Sequence, residues 1–433
     1  MRVLVVNAGS SSLKLQVLEG GRSEPVVARS VADWDGRDVE PIAGLLSEAE
    51  AATAGRVGQV GGVDAVGHRV VHGGIDLRGP TVIDEEVVER IEALTPLAPL
   101  HQQRALAGIA AARAAVPELP HVACFDTSFH TTLPEAAATY ALPAAWRSRW
   151  GLRRFGFHGL SHAYASRRAA ELLDRSDDPE LRAVTCHLGA GASLCACRGG
   201  RSVDTTMGFT PLEGLVMATR AGSVDPGLVL WLVTDAGLSA ADVRDDLEHR
   251  SGLAGLAGTA DMREVLARAG MGAGVGAAAG GGDDRGARLA FEVYVHALAR
   301  EVAAMTASLG GLDVLVFTGG VGEHAPEVRQ AAADRLGYLG VALDPAANTA
   351  PAPPGGSPPD RSAAPARPGG SRPDRSAAPA QPGGSPPDRS AESDPPADRA
   401  IGAADAPVAA LVVTAREDLE IARQTRAALT EGG

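Results

Sequence analysis

The sequence predicts an α/β protein built from two related units that face each other across a cleft. Three observations predict it. Strand and helix signals alternate along most of the chain, as layers of sheet and helix packed around a core require. Short apolar strands run directly into small-residue turns. The opening pattern, strand–turn–strand in NAGSSSLKLQV, returns in the second half as HLGAGASLCAC.

Taken in order, Arg2–Val6 and Leu13–Leu18 read as strands around the turn Asn7–Ser12, the second alternating Leu13, Leu15 and Val17. Val63–Val71 is a further strand, Asp84–Leu94 and Gln102–Val116 carry helical periodicity, and His121–Phe125 is again a strand. Ser161–Leu173 reads as a helix with Ser161 as its cap. Ala183–His187 and Ser193–Cys197 flank the glycine turn Leu188–Ala192, and Arg198–Arg201 forms a Gly-Gly hairpin before the strand Ser202–Thr206. A helix is expected just before Arg220. A strand resumes at Val408, and Glu417 to Leu429 closes the chain as a helix. The expected division is 1–150 with the helix 417–433 as one unit, and 151–344 with 405–416 as the other.

The segment 345–404 differs from everything around it. The unit PGGSPPDRSAAPAR begins at Pro354, returns as PGGSRPDRSAAPAQ at Pro368 and starts again at Pro382, a 14-residue repeat. It is too proline-rich for helix and too poor in large apolar residues for a core, so a disordered insert is expected there. The Gly/Ala-rich stretch from Gly270 to Gly286 reads as a second flexible loop.

Composition excludes several classes of function. Of 433 residues, 45% are apolar and 21% charged, an ordinary globular balance that leaves room for two full cores. A net charge of −13 argues against nucleic acid or a membrane surface as partner, since both need a basic face. The four cysteines lie in strand-like runs without CxxC spacing, so they read as buried free thiols in a reducing compartment. No signal-peptide pattern and no run of about 20 apolar residues is present, which points to the cytoplasm.

The candidate chemistry is phosphoryl transfer, which needs a cradle for phosphates, a held acceptor and stabilisation of migrating charge. Three small-residue turns each follow a strand: Asn7–Ser12, Leu188–Ala192 and Thr318–Glu323. Glycine in such turns lets backbone N–H groups approach an anion closely. Any one of them is also an ordinary tight turn, and it is their recurrence that counts. Arg69 in GHRVVHGG and Arg220 in MATRAGSVDPG suit a carboxylate or phosphate fork, although an isolated arginine is more often a surface residue. Asp126 ends a strand, Glu417 follows one, and His158 lies between glycines; their plainer readings are a turn acid, a helix first-turn acid and a core histidine. His158 and His162 have no third ligand to make a metal site.

The strings NAGSSSLK, GHRVVHGG, PLAPLHQ, FDTSFH, GFHGLSH, HLGAGAS, SVDTTMGFTPLEGLVMATR, FTGGVGE and REDLEIA occur in the order that resembles the acetate kinase family, from Arg2 to about Gly340 and again from Val408. That family belongs to the acetate and sugar kinase, Hsp70 and actin superfamily. The resemblance implies two duplicated actin-like (ribonuclease H-like) domains of mixed sheet plus helices, facing across a cleft. It implies Asp126, Arg69, Arg220 and His158 as the catalytic set, with Arg69 also binding acceptor beside Val71, Leu100, Phe157 and Pro211. Nucleotide contacts would come from Lys14, His187, Gly189, Ala190, Gly191, Asp261, Met262, Arg263, Gly319, Gly320 and Gly322. Asn7 and Glu417 would hold Mg²⁺, with Mn²⁺ as the alternative, and Ser10 and Ser12 would support the first loop. Where the family carries other residues, this chain has Ala190, Ser223 and His324.

The implied reaction is reversible in-line phosphorylation of acetate by ATP, giving acetyl phosphate and ADP, in a cytoplasmic homodimer. Propionate, or a range of short-chain acids on the same scaffold, is the alternative acceptor. A non-catalytic nucleotide switch of the actin kind would explain the turns but not Arg69, Arg220 and His158; a sugar kinase would leave the arginines surplus.

Overall fold

The computed structural model describes residues 1–8, 12–20, 26–34, 40–51, 62–271, 284–350 and 398–431. Within these the chain forms two six-stranded mixed sheets. The first contains β1 (Val3–Ala8), β2 (Ser12–Leu18), β3 (Val26–Asp33), β4 (Ala65–Val70), β5 (Thr81–Val82) and β6 (His121–Phe125), in the order β3-β2-β1-β4-β6-β5. The second contains β7 (Arg182–Leu188), β8 (Ala192–Arg198), β9 (Arg201–Thr205), β10 (Val314–Thr318), β11 (Arg399–Ala400) and β12 (Ala409–Val412), in the order β11-β12-β10-β7-β8-β9.

The duplication is visible in the pairing. In the first sheet β1–β2–β3 form an antiparallel meander, while β1, β4 and β6 run parallel. In the second, β7–β8–β9 form the meander, and β7, β10 and β12 run parallel. Each parallel edge ends in a short antiparallel strand, β5 on β6 and β11 on β12. The β1–β2 and β7–β8 pairs thus hold the same place in two copies of one plan.

Both faces of the parallel strands are buried, so they read as continuous apolar runs. Leu4 and Val6 pack with Ala111 and Ala112 of the helix Pro99–Ala115, while Val3 and Val5 pack with Ile421 and Ala422 of the helix Glu417–Glu431. In the second sheet Val184, Cys186 and Phe317 face Tyr294 and Leu298 of the helix Arg285–Leu309. Ala183, Val314 and Val316 face Ala165 and Ala169 of the helix Gly159–Leu172. The helices Gly159–Leu172 and Glu417–Glu431 also pack on each other and so join the halves.

Several expectations change. The helix expected from Ser161 starts at Gly159, with His158 in the cap position at φ 54° and no side-chain cap bond. Ser161 instead bonds His187, its Oγ 2.8 Å from Nδ1. No helix precedes Arg220: residues 206–225 form a loop, because Pro211, Gly208, Gly214 and Gly222 interrupt any helical run. Thr318–Glu323 is not simply a turn, since Gly319–His324 winds into a short helix directly after β10. The irregular segment is narrower than 345–404: Asp344 caps a helix at Pro345–Thr349, and Arg399–Ala400 pairs with β12. The repeats themselves lie outside the described residues, as does most of Gly270–Gly286.

Gly67 on β4 sets how closely the C-terminal helix can sit. A Cβ there would lie 2.4 Å from Thr425 Oγ1 and 2.8 Å from Ile421 Cγ2. Gly67→Val is expected to overpack this contact and cost about 1–3 kcal/mol in urea unfolding. An unchanged midpoint would show that the helix is not held there.

Candidate active site

The site is assembled at the strand and helix ends where the two halves meet. Asp126 follows β6, and its backbone N–H donates to Val70 O on the neighbouring β4. Its backbone carbonyl accepts from Gly159 N–H at 2.9 Å, the first residue of the helix Gly159–Leu172. A Cβ on Gly159 would sit 2.1 Å from that carbonyl, so only glycine lets the helix start there.

Arg69, near the end of β4, donates from Nε and Nη2 to Asp126 Oδ2 at 3.1 and 2.8 Å. Its Nη1 lies 3.2 Å from Glu417 Oε2, at the start of the C-terminal helix. Asp126 is 1% exposed, and burial raises its pKa to about 6; Arg69 and the Leu160 backbone N–H pull it down, while Glu417 pushes it up. Among the described residues Asp126 Oδ1 has no side-chain hydrogen-bond partner.

Across the cleft, the β7–β8 hairpin brings Gly191 against His158 and Arg220. A Cβ on Gly191 would lie 3.3 Å from His158 Nε2 and 3.5 Å from Arg220 Nη1. Arg220 Nη1 donates to Pro211 O at 3.1 Å, and among the described residues Arg220 forms no ion pair. Burial lowers its pKa, a sign that this cation is poorly solvated and would be stabilised by an anion. The His158 and His187 rings lie 4.4 Å apart, and Arg69 and Arg220 both press on His158 electrostatically. Arg69, Arg220, His158, Asp126, Glu417 and the turn at Gly189–Gly191 thus form one cluster.

The acceptor-side residues divide. Phe157 is 1% exposed within the second core, and Val71 packs against that same core. His72 reaches across with its ring edge on Phe155 and Phe157 at 4.5 and 5.5 Å. Pro211 stands beside Arg220 through its carbonyl. The Leu100 side chain lies outside the described residues, as do Ser10 and the side chain of Ser12.

The nucleotide-side residues divide too. Asn7 and Lys14 face each other in register across β1–β2, with Lys14 exposed. Ala190 is exposed at the hairpin tip. Gly319 packs on the Leu188 backbone, and Gly322 is buried beside β7, whereas nothing lies within 4 Å of a Cβ on Gly320. Of these three, only Gly320 leaves open space for a ligand. Met262 is 4% exposed and belongs to the core, and Asp261 caps the helix Met262–Arg268 by accepting from Arg263 N–H. That leaves Arg263, whose guanidinium pairs with Asp261, as the exposed side chain of this trio.

Three supports were missed in the sequence. Arg154 pairs with Glu213 at 2.7 Å, Tyr140 donates to Glu213 at 2.6 Å, and Phe209 N–H donates to Tyr140 at 2.8 Å, fixing the loop that carries Pro211 and Arg220. Glu323 Oε1 accepts from Gly319 N–H and Ala415 N–H, both at 2.9 Å, tying the short helix to the segment ahead of Glu417. His101 feels both Arg69 and Arg220, and with burial they lower its pKa to about 4. Only its place in PLAPLHQ signalled it.

The acetokinase family matches residues 52–357 of the chain. The acetate kinase of Deinococcus radiodurans is 46% identical over 367 residues, covering 81% of this chain and 89% of its own. That of Leifsonia xyli is 42% identical over 99% of both chains. The crystal structure of the Porphyromonas gingivalis acetate kinase superposes with a TM-score of 0.77 at 31% identity, over 99% of both chains. A propionate kinase structure from Francisella tularensis gives 0.76 at 29%, over 98% of this chain and 99% of its own.

A pH dependence of stability follows from the buried histidines. His68, His72, His101, His121, His130, His158, His162 and His187 all have lowered pKa values, with burial as the first cause. Below pH 6.5 the unfolded chain takes up protons that the folded chain refuses, so stability falls with pH until the folded values, about 4 for His72, His101 and His130, are reached. Asp126 acts in the opposite sense, since a raised carboxyl pKa favours folding as pH falls through about 6. Each group contributes at most about 1.4 kcal/mol per pH unit, so eight imidazoles outweigh the two carboxyls that burial raises, Asp126 and Glu323. The melting temperature is expected to drop steadily from pH 7 to pH 5; a rise would contradict the buried neutral histidines.

Two sheets of one topology accompany a likeness to these relatives that runs over nearly the whole chain: the protein belongs to the acetokinase family and, with it, to the phosphotransferases that use a carboxyl group as acceptor.

Proposed function

We propose that this chain transfers the γ-phosphoryl group of ATP to acetate, reversibly, giving acetyl phosphate and ADP. The observation that carries the reading is the convergence of Arg220, His158 and Gly191 opposite the Arg69–Asp126 pair. A carboxylate acceptor is already ionised near neutrality, so no general base is needed. What the reaction needs is compensation of charge between two anions. Arg69 and Arg220 flank that position, and His158 presents its Nε2 edge to it. Asp126 orients Arg69 rather than taking a proton from the acceptor. Val71, Phe157 and Pro211 line the acceptor's apolar end, while the hairpin tip at Gly191 and the exposed Ala190 and the open space at Gly320 suit phosphate oxygens, the Gly189 N–H being taken up by the Gly191 carbonyl.

Mg²⁺ is the cation this donor set suits, with Mn²⁺ as the alternative. The Asn7 and Glu417 side chains offer hard oxygen ligands, and Asp126 Oδ1, with no side-chain partner among the described residues, adds acceptor capacity nearby. Among the described residues no cluster of three His, Cys, Asp or Glu could hold a metal unaided. That agrees with an ion held jointly with substrate phosphates, where it would neutralise charge on the β- and γ-oxygens.

The two sheets support a division into a unit of 1–150 plus the C-terminal helix and a second of 151–344 plus 405–416, with β11 at Arg399–Ala400 extending the second unit beyond those bounds. Among the described residues no helix is long and apolar enough to cross a membrane, and four buried free cysteines suit the cytoplasm. We infer a homodimer from the helix Pro226–Thr234, which buries none of its side chains and leaves Leu228, Leu230 and Trp231 between 48 and 65% exposed.

Hydroxylamine trapping of acyl phosphate with ATP, Mg²⁺ and acetate, propionate or butyrate tests the reaction. Product from acetate is expected, and a larger yield from propionate would reassign the acceptor. No acyl phosphate from any of the acids would defeat the reading. Arg220→Ala should lower turnover by about 10³-fold or more while ADP binding changes little. It is a cleaner test than Arg69→Ala, because Arg69 also compensates the buried Asp126. For the assembly, Leu230→Glu is expected to halve the mass seen by light scattering; a wild-type monomer would remove the dimer.

A further inference from the structure

Behind His158 runs an unbroken chain of side-chain hydrogen bonds. His158 Nδ1 lies 2.9 Å from Ser193 Oγ, Ser193 Oγ lies 2.8 Å from His162 Nε2, and His162 Nδ1 lies 2.8 Å from Thr185 Oγ1. Ser193, His162 and Thr185 are each 0% exposed, so water does not compete for these groups. Between the two rings Ser193 Oγ has no other acceptor among the described residues, so its single proton goes to one imidazole and the other imidazole donates to it; with one proton per contact, the protons all point one way or all the other.

The two directions have different consequences. If Thr185 donates to His162 Nδ1, then His162 Nε2–H donates to Ser193, Ser193 donates to His158 Nδ1, and His158 carries its proton on Nε2. In the reverse direction His158 carries it on Nδ1 and turns a bare lone pair toward Gly191 and Arg220. The far end supplies the bias. The Thr185 hydroxyl has two acceptors, His162 Nδ1 at 2.8 Å and the Cys195 carbonyl at 3.4 Å, and the second is at the outer edge of hydrogen-bond length. A proton on the shorter contact sets the first direction.

We propose that Ser193, His162 and Thr185 are positioning residues that keep the His158 proton on Nε2, so that a neutral imidazole donates to the transferring phosphoryl group. The proposal rests on the reading of His158 as a donor in the site. It adds that the donor's tautomer is set from the core, through a hydroxyl more than one side chain away from any substrate. His158 is neutral in this environment because burial, His187, Arg69, His162 and Arg220 all disfavour its charged form. The choice of nitrogen therefore decides whether it can donate at all.

Long-range proton–nitrogen correlation spectra of the ¹⁵N-histidine-labelled full chain, with His158 assigned by its loss in His158→Gln, read the tautomer directly. The Nε2–H form is expected in the wild type. Thr185→Val should shift part of the population to Nδ1–H, and Thr185→Ser should restore it. A wild-type Nδ1–H form would overturn the proposal without any core variant having to fold.

Kinetics give a second, independent readout. Ser193→Ala should lower kcat by about 10–100-fold with the KM values for ATP and acetate within about twofold. In the double variant with His158→Ala, the loss should equal that of His158→Ala alone, because the relay acts only through that ring. Additive losses would sink the relay while leaving His158 in the site. Unaltered turnover in His158→Ala would remove the reading of the site itself.

Discussion

Three elements of the first half meet on one guanidinium. Arg69 holds Asp126 at the end of β6 and Glu417 at the start of the C-terminal helix, from its own place near the end of β4. Two carboxylates converging in a nearly dry cleft repel each other, and Asp126 is almost fully buried. Without the cation between them the arrangement is untenable: removing one partner of a buried pair typically costs about 3–5 kcal/mol.

Arg220 is the complement. It is held by Pro211's carbonyl on a loop braced by Arg154, Glu213 and Tyr140, and it has no acidic partner among the described residues. One arginine is compensated and fixed, the other poorly solvated and unpaired. An anion bridging them exchanges an unfavourable buried charge for a charge-assisted hydrogen bond, a larger gain than the same contact in water would bring. The buried histidines around them stay neutral and add no competing charge.

Two helices connect this chemistry to the fold. Gly159–Leu172 and Glu417–Glu431 each cover one face of a sheet, pack on each other, and begin in the site, one beside His158 and the other with Glu417. Glycine permits both close approaches: Gly159 lets the first helix start on Asp126's carbonyl, and Gly67 lets the second lie against β4. Positioning of the clustered side chains and packing of the core are therefore one set of contacts. Changes deep in either helix are transmitted to the cleft through rigid, close-packed elements.

The duplicated hairpins were legible because a buried strand has a strong local pattern and the same pattern occurs twice. The GHR, FDTSFH and GFHGLSH strings were legible as candidates, and the structure brings their Arg69, Asp126 and His158 together. Other features were not. Helix starts at Gly159 and Gly319 depend on the neighbouring backbone, not on a cap residue, so Ser161 and the TGGVGE turn misled. Met262 sits one residue after a good helix cap, and only packing decides that its side chain turns into the core. His101 has no local signature beyond its place in PLAPLHQ, since what distinguishes it is burial beside two arginines far away in sequence. The residue sequence by itself determined the two-fold plan, the acceptor's charge class and the family, because these rest on patterns within about ten residues. Tertiary structure alone decided that Arg69 serves two carboxylates, that Arg220 forms no ion pair among the described residues, and that His158 hangs on a chain of buried hydroxyl and imidazole groups. Those are contacts between distant segments, and burial gives them their strength.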